Sequence, residues 1–455
     1  MVGGYGRRVI KQIIALPILR YNGLFFLSTA IIGLANYLLN TTAARHFAPG
    51  EYSQFGIMLN LLAALAPLTA SVSTAVTRRA IRNRATADIG QTDGIQRTLV
   101  RHLSVIYACG LVLVALTHEH IGHFLRLTTT LPLYFVLTTG YWLILQGPSQ
   151  AILYERGTYA RLSLILLAEG VFRAIFGVTA ITLGLGIGIA LMVYTLSAAL
   201  AALALPRPRA IIRGPQASRA NMRSLYRDIG QLVVANICLT FLVSVDVIIC
   251  RRYLDSVTAD RYAAIAAMAK FFLFATSTVS LIAFTEVVRA SEQGRSSRHF
   301  LVISFGLIGG LGFLFTTLCL LFGRIIMTIA FGDAYRVSGD ALWITAVSAC
   351  AMSVVALEVS YFNAFSWLWY LPVLVIGSVV TIAALPLAHH DLRRYAGIYA
   401  LGTITVAIIL LIPLFLALTG RIRLGKPTRP VSESDDADVS EDLVSAYGDS
   451  TANDH

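Results

Sequence analysis

Arg45, Arg173 and Lys270 each lie in, or at the edge of, a long apolar block of this chain. A charge at the centre of a bilayer costs about 2.5–3.5 kcal/mol on insertion scales, so a cation kept there is a functional candidate. A buried cation can replace water around an anionic group, and Arg does so with paired donors. Four acids share this placement: Glu169, Asp246, Glu286 and Glu358. Each could carry a proton or Na⁺, or neutralise a neighbouring cation.

Local spacing leaves two readings at most of these sites. Glu169 and Arg173 are one helical turn apart, so they form either a neutral pair on one face or a site. Lys270 has Ala266, Ala267, Leu273 and Phe274 at helical spacing and no acid among them. It either snorkels to the interface or faces a cavity. Arg45 is an interfacial anchor or a contact for a solute. Asp246 lies about a turn from Arg251 and Arg252, where a salt bridge is the leading reading. Glu286 and Glu358 fall near block ends, where water is close.

Other patterns carry no chemistry. His118-Glu119-His120 with His123 is not a zinc H-E-x-x-H, because position 122 is Gly. No metal site is expected. Gly184, Gly186 and Gly188 lack the βαβ context of a dinucleotide fold, and there is no P-loop, so neither a cofactor nor direct ATP drive is expected. The five cysteines form no C-x-x-C pair and read as packing residues.

The blocks themselves decide the class. Hydrophobic residues make up 56% of the 455 and charged ones 13%; mean hydropathy is +0.72. Soluble domains carry about 25% charge. The apolar blocks run to roughly 18–25 residues, enough to cross about 30 Å of hydrocarbon as helices. Twelve spans are expected, near 22–42, 53–77, 100–117, 130–150, 160–182, 186–206, 229–250, 262–288, 300–322, 341–362, 367–388 and 396–419. The chain reads as an all-α polytopic membrane protein.

The formal charge of +12 sits in short loops and not in a basic domain, so no nucleic acid is expected. With the N-terminus inside, 25 of the 36 Lys and Arg fall on inner segments and 9 on outer ones. Both termini are therefore expected in the cytoplasm. Residues 1–21 read as a basic interfacial segment against membrane lipids. Residues 207–228 read as a basic linker dividing the spans six and six. From 431 the tail is acidic and Ser-rich, the composition of disorder.

The two halves, 22–206 and 229–420, share a faint repeat. Arg45-His46-Phe47 leads through Pro49-Gly50-Glu51 to Tyr52 and a span that ends at Arg78. Arg252-Tyr253-Leu254 leads through Asp260-Arg261 to Tyr262 and a span that ends at Arg289. Six spans per repeat give both halves one orientation, related by an axis along the membrane normal.

These same stretches carry a family resemblance. Ala44 to Tyr52, Asp246 to Leu254 with Ala259 to Tyr262, and Phe331-Gly332-Asp333-Ala334-Tyr335 resemble Wzx-type polysaccharide flippases. Their superfamily (MATE/MOP) also holds the MATE exporters and the lipid II flippases. Ser53 departs from the Gly common at that position. The resemblance implies two pseudo-symmetric six-helix lobes around a cavity that opens to each side in turn. It implies a bacterial cytoplasmic membrane, no enzymatic activity and an undecaprenyl-pyrophosphate-linked oligosaccharide as substrate. It further implies a coupling ion, H⁺ or Na⁺, and a place in lipopolysaccharide or capsule synthesis with a polysaccharide polymerase as partner. Arg45, Arg173 and Lys270 would then meet pyrophosphate or sugar. Two alternatives stand beside it: a MATE-like exporter of small cations, which would want an acidic, aromatic lining, and a membrane-embedded O-antigen polymerase or ligase, which the short outer loops disfavour.

Overall fold

The computed structural model describes residues 17–85, 89–155, 158–206, 219–292, 298–364, 367, 369–388 and 390–418. The first 16 residues, most of the expected linker (207–218) and the acidic tail lie outside the described residues. Twelve long helices follow in order: α1 (Pro17–His46), α2 (Glu51–Ala85), α3 (Ile89–Leu125), α4 (Leu131–Glu155), α5 (Tyr159–Thr182), α6 (Gly186–Ala204), α7 (Arg219–Ile248), α8 (Ser256–Glu292), α9 (Arg298–Phe331), α10 (Gly339–Ala364), α11 (Tyr370–Ala384) and α12 (Leu392–Leu418). A single helical turn, Cys250–Tyr253, separates α7 from α8. Each expected span lies on one of these helices, in the expected order.

The helices are often longer than their apolar blocks. α7 starts at Arg219, within the segment read as linker, and α9 runs on to Phe331. Apolarity marks only the stretch that must cross hydrocarbon. Backbone hydrogen bonds continue past it wherever nothing breaks the helix. Pro49 and Gly50 make such a break between α1 and α2, and Gly50 adopts φ +90°, which a side chain would strain.

Among the described residues, seven helices (α3, α5, α6, α9, α10, α11 and α12) are long and apolar enough to cross a membrane by themselves. The other five include α2, α7 and α8, which carry Asn60, Asp246 and Lys270. Those three pack on one another, so their polar groups are turned away from lipid. α3 and α9 do the opposite. Val105, Ile106 and Leu116 on α3, and Phe313, Leu321 and Ile329 on α9, are all more than half exposed, as lipid-facing residues must be.

The two halves share one packing plan. In the first, α1 packs on α5, α2 on α4, α3 on α4, α4 on α6 and α5 on α6. Six added to each label gives α7–α11, α8–α10, α9–α10, α10–α12 and α11–α12, and every one of these pairs is in contact. Across the halves, α2 meets α7 and α8, and α1 meets α8 and α9. The seam between the halves therefore runs along α1, α2, α7 and α8.

Without a hydrophobic force between helices in lipid, close approach of backbones is what holds them. α9 and α10 meet at Gly323 and Gly339, where a Cβ on either would collide with the backbone of the other. Gly323→Leu is expected to cut the yield of monodisperse, membrane-extracted protein several-fold on size-exclusion chromatography. Gly310→Ala, which meets nothing within 4 Å, should not. Equal yields would show that this crossing is not specific.

Candidate functional site: a lysine and an aspartate at the seam

Three helices bring one polar group each to the middle of the seam. Lys270 Nζ (α8) donates to Asn60 Oδ1 (α2) at 2.8 Å and to Asp246 Oδ1 (α7) at 3.1 Å. Tyr262 OH donates to the other Asp246 oxygen at 2.9 Å. Tyr395 OH donates to the Asp246 carbonyl at 2.7 Å, and Tyr399 OH to the Leu242 carbonyl at 2.8 Å. Asp246 is 1% exposed. Two cation–dipole and charge contacts thus hold Lys270, and three tyrosines hold the stretch of α7 that faces it.

The spacing that builds this cluster is four residues throughout. Tyr262, Ala266 and Lys270 form one stripe of α8, and Leu242 and Asp246 one stripe of α7. Tyr395 and Tyr399 do the same on α12, and Gly56 and Asn60 on α2. Asn60 Nδ2 returns to the Gly56 carbonyl at 2.8 Å, which fixes its amide. The small side chains of Ala263 and Ala266 let α8 approach α2: a Cβ on Gly56 would stand 3.4 Å from that of Ala263.

Lys270 and Asn60 are 210 positions apart, as are Tyr262 and Tyr52, the anchors of the repeat. Gly50 and Asp260 are also 210 apart, and they too are bonded to each other, Gly50 N–H donating to Asp260 Oδ2. Residues that bond to their own repeat equivalents lie on the axis relating the repeats. The Lys270–Asn60 pair and the Gly50–Asp260 pair therefore mark that axis at two depths.

A cavity of about 20 Å³ adjoins Asp246 and Lys270, lined also by Thr345, Ser348, Met352 and Tyr399. That is room for one water. A ligand of drug size needs roughly 300 Å³ or more. In this conformation the seam is closed around the pair.

The remaining sequence candidates are placed as follows. Asp246 does not pair with Arg251 or Arg252, as expected, but with Lys270. The helix breaks at Ile249, and Arg251 turns to the Gly50 carbonyl, 2.5 Å from its Nη1. Arg173 stays within the first half. It lies 4.0 Å from Glu169 and 4.7 Å from the Tyr194 ring centre, and Gln146 donates to Glu169 at 3.5 Å. These residues join α4, α5 and α6, and among the described residues Arg173 does not contact Lys270. Arg45 is exposed at the end of α1, and its guanidinium donates to the Ile329 carbonyl of α9. Glu358 was expected near water, yet it is 0% exposed, and among the described residues neither carboxyl oxygen has a hydrogen-bond partner. It sits on α10 among Val355, Val359 and Phe362, all buried. The Glu286 side chain lies outside the described residues.

Sequence reasoning named Tyr262 and Asp260 as landmarks of the repeat without a role at the seam, and missed Asn60. The signal that finds Asn60 and Asp260 is the repeat offset itself, read through to every residue of α2 and α8 and not only to its landmarks.

No family model matches the chain, and no curated protein matches it in sequence. Solved structures do. An inward-facing multidrug-resistance MATE-family transporter of the MOP superfamily aligns with TM-score 0.62 at 12% identity, covering 86% of this chain and 95% of the other. The lipid II flippase MurJ, in an inward closed conformation, aligns with TM-score 0.69 at 12% identity over 87% of each chain. A mutant of the Vibrio cholerae MATE transporter VcmN aligns with TM-score 0.62 at 14% identity over 88% and 98%. The protein is a multi-pass membrane protein with the twelve-helix fold of the MATE and MOP transporters.

Proposed function

We propose that the protein flips an undecaprenyl-pyrophosphate-linked oligosaccharide across the bacterial cytoplasmic membrane. The units 22–206 and 229–420 part alternately at each end, and both termini are cytoplasmic. The observation that carries this reading is Lys270: a cation on the repeat axis, in the seam, held by one acid and one amide. A pyrophosphate that reaches the axis can take the place of Asp246 and Asn60 as its partner. Arg173, which already stacks on Tyr194, and Arg45 at the rim are secondary candidates for phosphate or sugar. Glu358 is the candidate for the coupling ion, since a lone buried carboxyl is stable only as the neutral acid. Glu169, Asp246 and Glu286 act as neutralising or coupling partners. The product would pass to a polysaccharide polymerase for lipopolysaccharide or capsule assembly.

One feature favours a MATE-like exporter of organic cations instead. Asp246 lies among Tyr262, Tyr395 and Tyr399, an acidic and aromatic setting. The Lys270 ammonium, however, already neutralises that acid.

Deletion of the gene separates the two. The flippase reading expects lipid-linked glycan to accumulate on the inner side and surface polysaccharide to fall, in a strain without a second flippase. Unchanged surface polysaccharide with raised drug sensitivity would replace it with the exporter.

A further inference from the structure

The second pair on the repeat axis closes the seam at the end that the charge count places outside. There the N-terminus of α2 belongs to one half, and the residue that caps it belongs to the other. The first backbone N–H groups of a helix have no partner within the helix. At α2 these donors find Asp260 of α8: Gly50 N–H lies 2.5 Å from Oδ2 and Ser53 N–H 2.7 Å from Oδ1. The Gly50 carbonyl accepts from Arg251 Nη1 at 2.5 Å, again from the other half. Asp260 is 5% exposed and Arg251 8%. α8 keeps an ordinary local cap beside this one, Thr258 N–H donating to Asp255, while at the equivalent place before α2 Ala48 N–H donates to Glu51. Asp260 is thus not needed to start its own helix; its two oxygens are spent on the opposite half.

We propose that Asp260 and Arg251 form a latch that holds the outer end of the seam shut, and that it must break before the path opens to the outside. Three properties fit that role. The contacts are charge-assisted, so they are strong while water is excluded. They are few and concentrated on one turn, so they can break together. They also bind backbone atoms of Gly50 and Ser53, whose positions move only if the whole of α2 moves. Gly50 suits the site because its φ of +90° turns the carbonyl toward Arg251, and because an added Cβ would press on Ser256 of the other half at 3.1 Å. The rings of Tyr52, Phe331 and Tyr335 pack together beside it, with centroids 5.9–6.3 Å apart, and keep water from the latch. The residues that carry the family resemblance around Gly50 and Asp260 thereby gain a mechanical meaning.

The latch rests on the reading that the halves part at this end, but its test needs no substrate. In a version lacking the five native cysteines, Ala266→Cys serves as reporter. Ala266 is 2% exposed, lies beneath the latch and lines the cavity at Lys270. An impermeant thiol reagent is applied to intact cells. Asp260→Ala is expected to raise the reporter's labelling rate roughly tenfold, the loss of a charge-assisted bond, and Arg251→Gln to raise it less. Equal rates in the parent and in Asp260→Ala would overturn the latch. Should Asp260→Ala fail to reach the membrane, a second version keeps Asp260 and pairs Gly56→Cys with Ala263→Cys. Their Cβ positions, 3.4 Å apart, suit a disulfide. Oxidation should then abolish labelling of the reporter, and reduction restore it. Labelling that persists after oxidation would show that the path does not open between these residues, and would sink the proposal. Loss of glycan transport with a working latch would instead count against the substrate, and the two failures stay distinct.

Discussion

Asp246→Asn combined with Lys270→Met is expected to give a folded, membrane-inserted protein that moves almost no substrate. The reasoning starts from the pair. Removing one member of a buried ion pair costs about 3–5 kcal/mol, because the other is left charged and alone. Lys270→Ala would strand Asp246 with only Tyr262 as donor. Asp246→Asn would strand the ammonium on Asn60. Both single variants should therefore fold poorly, and a loss of transport in them would say little. The double variant removes both charges, and such neutral replacements are often harmless or stabilising. It also removes the one cation on the repeat axis among the described residues. If pyrophosphate is held there, transport normalised to inserted protein should fall roughly a hundredfold, about 2.7 kcal/mol of lost stabilisation. Lys270→Arg keeps the charge and should keep much of the transport. Surface-glycan complementation with quantified membrane protein is the assay. Full complementation by the double variant would make the pair structural.

Glu358→Gln is expected to leave stability unchanged and to uncouple transport. The carboxyl is fully buried with no hydrogen-bond partner for either oxygen among the described residues, and Gln matches the neutral acid in size and charge. Glu358→Lys, by contrast, would place an unpaired cation among valines and should abolish folding. If Glu358 must release its proton when the halves change partners, Gln cannot complete the cycle. Each proton moved through 100 mV supplies about 2.3 kcal/mol. In reconstituted vesicles an imposed proton gradient should accelerate the parent at least severalfold and leave Glu358→Gln at its basal rate. The same acceleration in both proteins would free Glu358 from the coupling role.

The number and order of the twelve helices were legible because lipid allows so few solutions. A block that crosses hydrocarbon must be helical, and its length is set by the bilayer. The helix extents were less legible, since the residues from Arg219 and from Ile89 are already helical in polar sequence that no hydropathy pattern marks. Lys270 was legible as a costly charge, but its partner was not. Asp246 is 24 positions away on another helix, and local spacing pointed instead to Arg251 and Arg252. Glu358 was misplaced for a related reason. Nearness to a block end suggests water only if nothing covers that end, and here α10 is the most enclosed of the seven helices apolar enough to span among the described residues, with 67% of its most apolar stretch buried. Burial by other helices is a tertiary fact, absent from the periodicity of α10 itself.

The bond between Lys270 and Asn60 has one further consequence. A residue on a two-fold axis faces its own copy. Two identical subunits meeting along that line could place two lysines there, which would repel, or two asparagines, which would pair. They could never place one lysine. An odd charge at the centre of a symmetric object requires that the copies be free to differ, as two stretches of one chain are. The unmatched Lys270 on that axis is thus something that fusion of the repeats makes possible and that no homodimer of either half could reproduce.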